Sequence, residues 1–354
     1  MSRRYAILAL DHFADDAKTA HGVIAYGADE TVAVIDPSCA GKRVRDVLPY
    51  LQSDAPVVAS VEDALAFAPT ALLIGTAPIG GALPESWRAE LRRALGAGLE
   101  LVSGLHDMLG DDRELRDLAQ AHGTTIWDVR KPPDVPIFSG AAYGVAPPVL
   151  LMVGNDCAVG KMTVALELGR AAEGTGLRTT FVPTGQTGIM IAGWGIAIDR
   201  VISDFASGAT EALVLYAAES QPDLILVEGQ GAINHPAYAQ VTLALMYGSA
   251  PDGLILVCDP ARKAVSGFDT PTLGYRELIR LHEALLATVK PARVLGIALN
   301  TRTLNERDAK AEIERARNET QLPADDVVRF GARAFYDDVA PRIEKSQPVR
   351  WVPA

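Results

Sequence analysis

Ten residues carry the most specific chemistry in the sequence: Gly154-Asn155-Asp156-Cys157-Ala158-Val159-Gly160-Lys161-Met162-Thr163. They follow the apolar run at 149–153, which reads as a buried strand. They precede a stretch with Val164, Leu168, Ala171 and Ala172 on one helical face. A strand, a glycine loop ending in Gly-Lys and a helix form the context a phosphate-binding loop requires. The glycines let backbone N–H groups turn inward around an anion, and the helix N-terminus adds its dipole. Lys161 supplies a mobile positive charge. The alternative is a tight strand-to-helix turn with a merely exposed lysine. Two departures from the usual loop matter: five residues separate Gly154 from Gly160, and Met162 follows the lysine. A Ser or Thr there would ligate Mg²⁺, whereas a thioether suits that hard cation poorly. Thr163 can still hydrogen-bond a phosphate. The expectation is a loop that holds phosphate with weak machinery for splitting a nucleoside triphosphate.

Further polar residues follow other predicted strands. Pro183-Thr184-Gly185-Gln186-Thr187-Gly188 comes after a strand at 180–182, and Glu228-Gly229-Gln230 ends a strand at 224–227 ahead of Asn234 and His235. Glu228 is a candidate general base for an amine, or a Mg²⁺ ligand together with Asp156. The competing reading has Glu228 capping the following turn. His235 is open between acid/base catalysis and loop packing. Asp199 and Asp204, five apart, read as structural charges. Asn300, after a strand ending at Leu299, stands where an amide could meet adenine. In the first third, His106, Asp107, Asp128 and Arg130 follow strands as well. Arg130 could grip a substrate carboxylate, or pair with Asp128 as a surface salt bridge worth little. The expected substrate contacts are His106, Arg130, Gly185, Gln186, Thr187 and Gln230.

Short apolar runs at 6–10, 32–35, 57–59, 71–74, 100–102 and 125–127 alternate with helical spacing at 84–95 and 113–122. Such alternation predicts an α/β fold with parallel sheets and covering helices, whose loops at the carboxyl ends of strands bind ligands. The loop Gly75–Gly81 is one of these. Prolines at 132, 133, 136, 147 and 148 block helix and central strand alike. They predict an N-terminal Rossmann-like domain over 1–135, a linker over 136–148 and a C-terminal P-loop domain over 149–354. The latter has strands at 149–153, 180–182, 224–227, 253–257 and 294–299.

The 354 residues suit two domains, and 49% hydrophobic with 22% charged content describes an ordinary globular chain. Thirty-three basic against 44 acidic residues give a net charge of −11, which disfavours nucleic acid and anionic lipid as partners. Three cysteines without a C-x-x-C pair exclude a disulfide framework and a cysteine-rich zinc site. The N-terminal apolar run is too short for a signal peptide or a span. A cytoplasmic chain without nucleic-acid or membrane partners is expected. The apolar stretch at 241–247 fits either core or a homo-oligomer interface.

The glycine loop with Val227-Glu228-Gly229-Gln230-Gly231 resembles dethiobiotin synthetase and related P-loop proteins. Longer stretches resemble a bacterial family long catalogued as a domain of unknown function. They include Val34-Ile35-Asp36-Pro37, Ser103 to His106, Asp128 to Lys131, Thr184 to Gly188, Ile191 to Gly195 and Gly296 to Thr301. That resemblance implies a D-glutamate N-acetyltransferase using acetyl-CoA as co-substrate. It implies that residues 154–163 and Asn300 hold CoA, that the acidic amino acid sits in an interdomain cleft, and that no metal is needed. Glu228 and His235 are then the candidate catalytic residues, with N–H groups of the Gly185–Gly188 loop stabilising the oxyanion. The alternatives are a kinase or ligase using ATP and Mg²⁺, with Asp156 and Glu228 as metal ligands, and a nucleotide-binding regulator without turnover.

Overall fold

The computed structural model describes residues 2–76 and 82–349. In chain order the first elements are β1 (Arg4–Leu8), α1 (Lys18–Tyr26), β2 (Glu30–Ile35), α2 (Val44–Val47), β3 (Val57–Val58) and α3 (Val61–Ala64). Next come β4 (Ala71–Ile74), α4 (Arg88–Gly96), β5 (Glu100–Ser103), α5 (Arg113–Ala121) and β6 (Ile126–Asp128). They are followed by β7 (Val149–Gly154), α6 (Lys161–Glu173), β8 (Thr179–Val182), α7 (Gln186–Ala192), α8 (Ser203–Glu219) and β9 (Leu224–Val227). The last are α9 (Ala239–Gly248), β10 (Gly253–Cys258), α10 (Tyr275–Leu286), β11 (Arg293–Leu299), α11 (Glu306–Thr320), β12 (Ala324–Asp325) and α12 (Ala332–Val339).

Two six-stranded sheets result, ordered β3-β2-β1-β4-β5-β6 and β12-β11-β10-β7-β9-β8, with every recorded pairing between named strands parallel. Their central strands are runs of Val, Ile and Leu buried on both faces, as helix-covered parallel strands must be. In the second sheet the direction of winding reverses between β7 and β10, so the loop after β7 opens at the switch point where such sheets bind ligands.

Packing divides the chain into two compact units. One comprises the residues up to Pro132 together with Gln186–Ala197; the other comprises Pro133–Gly185 and the chain from Ile198 onward. The division is therefore not a single cut at the proline-rich stretch. Helix α7 belongs to the first unit, where Gln186 Nε2 donates to Thr19 Oγ1 at 2.7 Å and buried Ile189, Met190 and Ile191 supply apolar contact. Nor does the stretch at 136–148 run free. The Ser139 and Ala142 N–H groups donate to buried Glu211 on α8 at 2.7 and 3.1 Å. Proline prevents helix and sheet, but it does not prevent packing. A Cβ on Gly208 of α8 would meet the Pro136 carbonyl at 1.9 Å.

No described helix is long and apolar enough to cross a membrane. The loop Gly75–Gly81 lies outside the described residues from position 77. Within α9, Thr242, Ala244, Leu245 and Met246 are buried, which places much of the apolar stretch at 241–247 in the core.

Candidate functional site

Strand β7 delivers the chain into the glycine loop, and α6 begins at Lys161. Gly160 has φ +109°, a conformation closed to most side chains, and it turns the loop into the helix. The Lys161 side chain folds back so that Nζ donates to the Asp156 carbonyl at 2.7 Å. Burial lowers its ammonium from 10.5 to about 8. Asn155 fastens the loop to the end of β10, accepting from Asp259 N–H (3.1 Å) and donating to Asp259 O (3.2 Å). Asn300 fastens it from β11, donating to Val159 O at 3.1 Å. One of the two N–H bonds of the amide expected to face adenine thus goes to the loop itself.

Glu228 ends β9, the strand beside β7. Its residue is only 7% exposed, and burial raises its carboxyl from 4.5 to about 7 despite the N–H groups it accepts. Those come from Thr184 (2.9 Å) and Gly185 (3.0 Å), both onto Oε2. Of the Gly185–Gly188 N–H groups expected to stabilise an oxyanion, that of Gly185 is therefore already donated to Glu228. Among the described residues no hydrogen bond reaches Oε1, and Asp199 adds a like charge that pushes the pKa further up. Gly229 is required here: a Cβ would stand 1.7 Å from Met152 O on β7. Gln230 closes the arrangement, donating through Nε2 to Thr184 O at 2.5 Å.

Asp156 is fully buried. Its carboxylate accepts from Cys157 N–H (2.7 Å), Ser266 N–H (2.9 Å) and the Arg262 guanidinium. His235 is 1% exposed; it accepts the Ala237 N–H at Nδ1 (3.2 Å), which places its hydrogen on Nε2, 3.1 Å from Ser266 O. Both ring nitrogens meet main-chain groups, Nε2 also lies 3.9 Å from Asp156 Oδ1, and the ring packs at a tilt against Tyr238 with centroids 4.6 Å apart. Asp156, Cys157 and His235 bring ligand atoms within 4.8 Å of one another. The donor set does not fit a cation, because Arg262 already neutralises the carboxylate and burial pushes the Cys157 thiol up, away from the thiolate a metal needs. Mg²⁺ is served no better, since Met162 supplies a thioether and Asp156 is engaged.

Lys161, Asp156, Glu228, Gly185, Gln230, His235 and Asn300 are thus together in the second unit, as is Thr163 on α6. His106, Arg130, Gln186 and Thr187 belong to the first unit. There Arg130 Nε donates to Gly104 O at 2.6 Å, and Thr187 Oγ1 lies 3.0 Å from Thr19 Oγ1. Asp128 accepts the Leu109 and Gly110 N–H groups at 2.9 and 2.8 Å, so its role is to cap that turn. Sequence reasoning missed Arg262 and Ser266. The signal was present: they follow β10, and the carboxyl-end rule applied to that strand points at 259–266. Among the described residues, neither polar atom of the buried Asn234 amide finds a hydrogen-bond partner.

A family model described as the P-loop domain of DUF1611, a domain of unknown function, matches residues 136–336, and its Rossmann-like N-terminal counterpart matches 37–132. A protein of Tritonibacter scottomollicae named D-glutamate N-acetyltransferase is 39% identical over 290 residues, 79% of this chain and 84% of that one. One of the same name from a Pseudoalteromonas species is 38% identical over 261 residues, covering 73% and 78%. The crystal structure of a DUF1611 family protein from Anabaena variabilis shares the fold with a TM-score of 0.90 and 41% identity, over 96% of this chain and 100% of that one. The two parallel sheets are accordingly a Rossmann-like and a P-loop domain, and the chain belongs to the DUF1611 family.

Proposed function

We propose that the chain is an N-acetyltransferase that moves the acetyl group of acetyl-CoA onto the amino group of an acidic amino acid, D-glutamate first among them. The observation that carries this reading is Glu228, a buried carboxyl held near neutrality beside a phosphate loop that lacks a hydroxyl for Mg²⁺. A base with a pKa near the working pH is what removing a proton from an ammonium calls for. A loop that cradles a diphosphate without hydrolysing it is what CoA calls for. The relatives named D-glutamate N-acetyltransferase support the same chemistry.

The residues then divide the work. Lys161 and the loop N–H groups hold the diphosphate. The substrate ammonium gives one proton to Glu228 Oε1, which takes no hydrogen bond among the described residues. The freed nitrogen lone pair attacks the thioester carbonyl carbon, and the carbonyl electrons move onto oxygen. Collapse re-forms the C=O bond and breaks the C–S bond. The nitrogen sheds its second proton to the departing sulfur, and Glu228 returns its own to water.

Calorimetric titration of the full chain tests the reading. CoA should bind without added metal, and Lys161→Ala should remove most of that affinity. Binding of ATP with Mg²⁺ in place of CoA would overturn it in favour of a kinase or ligase.

A further inference from the structure

The carboxyl edge of the second sheet carries more positive charge than one diphosphate uses. Lys161 follows β7, Arg262 and Lys263 follow β10, and Arg302 follows β11, on three strands that are immediate neighbours. Arg262 is committed to Asp156. Lys263 and Arg302 are exposed and, among the described residues, form no ion pair. Other cations of the chain are likewise unpaired, but these two lie beyond the ends of the strands next to the glycine loop. Glu312, whose charge Lys263 feels, is already bound by Arg315 at 2.9 Å and by the Tyr275 hydroxyl at 2.6 Å.

The loop that presents Arg302 is held on both sides. Asn300 ties it to the glycine loop, and its Oδ1 accepts the Arg302 N–H at 3.4 Å. Buried Thr301 donates through N–H and hydroxyl to Asp326, at 2.9 and 2.6 Å. Arg329 spends its guanidinium on Thr301 Oγ1 (3.2 Å) and Leu304 O (2.8 Å). The fastening holds the backbone of this loop, and among the described residues the Arg302 side chain forms no ion pair. Two strand spacings separate β7 from β11, about 10 Å.

We infer that Arg302, with Lys263, forms a second phosphate subsite that takes the phosphate on the ribose 3′ oxygen of CoA. The inference rests on the acetyl-CoA reading and deepens it. CoA differs from ATP in carrying that 3′ group, one ribose removed from its diphosphate. With the diphosphate in the glycine loop, the cations after β10 and β11 are the ones on hand. A guanidinium is suited to grip a terminal phosphate through paired N–H bonds.

Titration of the full chain with CoA and with dephospho-CoA, which lacks only the 3′-phosphate, tests this. The native chain should bind CoA roughly tenfold or more tightly than dephospho-CoA. Arg302→Ala and Lys263→Ala should shrink that ratio while leaving dephospho-CoA affinity unchanged, and Arg302→Lys should restore part of it. Both positions are exposed, so an unchanged melting temperature will show the fold intact. Equal affinity of the native chain for the two ligands would overturn the subsite and leave the acetyl-CoA reading standing. Binding of neither would overturn both.

Discussion

The Gly185 N–H donates to Glu228 Oε2 at 3.0 Å, and the same glycine, lacking a side chain, keeps a Cβ from standing 3.5 Å from the other carboxylate oxygen. One residue thus fixes the carboxylate proposed as the base and adds no side chain beside its other oxygen. A Cβ at position 185 would stand 3.5 Å from Glu228 Oε1, ordinary contact without strain. Gly185→Ala should therefore fold with a stability change of about 1 kcal/mol or less. It should also lose about ten- to a hundredfold in kcat by crowding the approach to Oε1. Thermal melting and initial rates check the two halves.

The dependence of rate on pH follows from two shifted groups. As the proposed base, Glu228 must be ionised to accept a proton, and its carboxyl is raised to about 7. Lys161 must be charged to hold phosphate, and its ammonium is lowered to about 8. The profile of kcat/KM should be a narrow bell, rising through about 7 and falling above about 8. Glu228→Gln should remove the rising limb from whatever activity remains.

The same shifts set a cost in stability, with signs that can be worked out. Between 4.5 and about 7 the folded chain holds the Glu228 proton that the unfolded chain has released, so this group lowers stability as pH rises through that window. Between about 8 and 10.5 the unfolded chain holds the Lys161 proton more tightly, so stability recovers as pH rises. Gln at 228 can still accept both N–H groups and carries no charge. Glu228→Gln should therefore stabilise the fold by roughly 1–3 kcal/mol at pH 7.5. Urea unfolding should show that gain fading at pH 4.5.

Proton uptake reports on Lys161 directly. At pH 8 about half of its amines are uncharged before ligand arrives. A phosphate beside Nζ favours the charged form, so binding of CoA should take up as much as about half a proton there. Titrations in two buffers of different ionisation enthalpy measure it. The uptake should disappear in Lys161→Met.

Much of this arrangement is legible in the sequence because local rules govern it. The run Val149–Gly154 could hardly be anything but a buried strand, and Gly160-Lys161 after it could hardly avoid a helix N-terminus. Strand β1 is less legible: the apolar run suggests 6–10, whereas the strand is Arg4–Leu8. Its start is an arginine that reaches across to Glu30, a pairing that hydrophobic spacing does not show. What the sequence conceals is long-range. That Asp156 pairs with Arg262, 106 residues away, and that Gln186 joins the first unit through Thr19, depends on sheet order and not on any motif. The fate of Gly185 is concealed for the same reason, since its N–H looks available until Glu228 is seen to occupy it.

The central claim is that Glu228 is the base for acetyl transfer, and release of free CoA thiol in the presence of acetyl-CoA and D-glutamate tests it most directly. The native chain should release thiol in proportion to both substrates, with EDTA making no difference. Glu228→Gln should bind CoA as well as the native chain does and turn over roughly 10²–10⁴-fold more slowly. Unchanged turnover in that variant, or release that stops when metal is removed, would contradict the account.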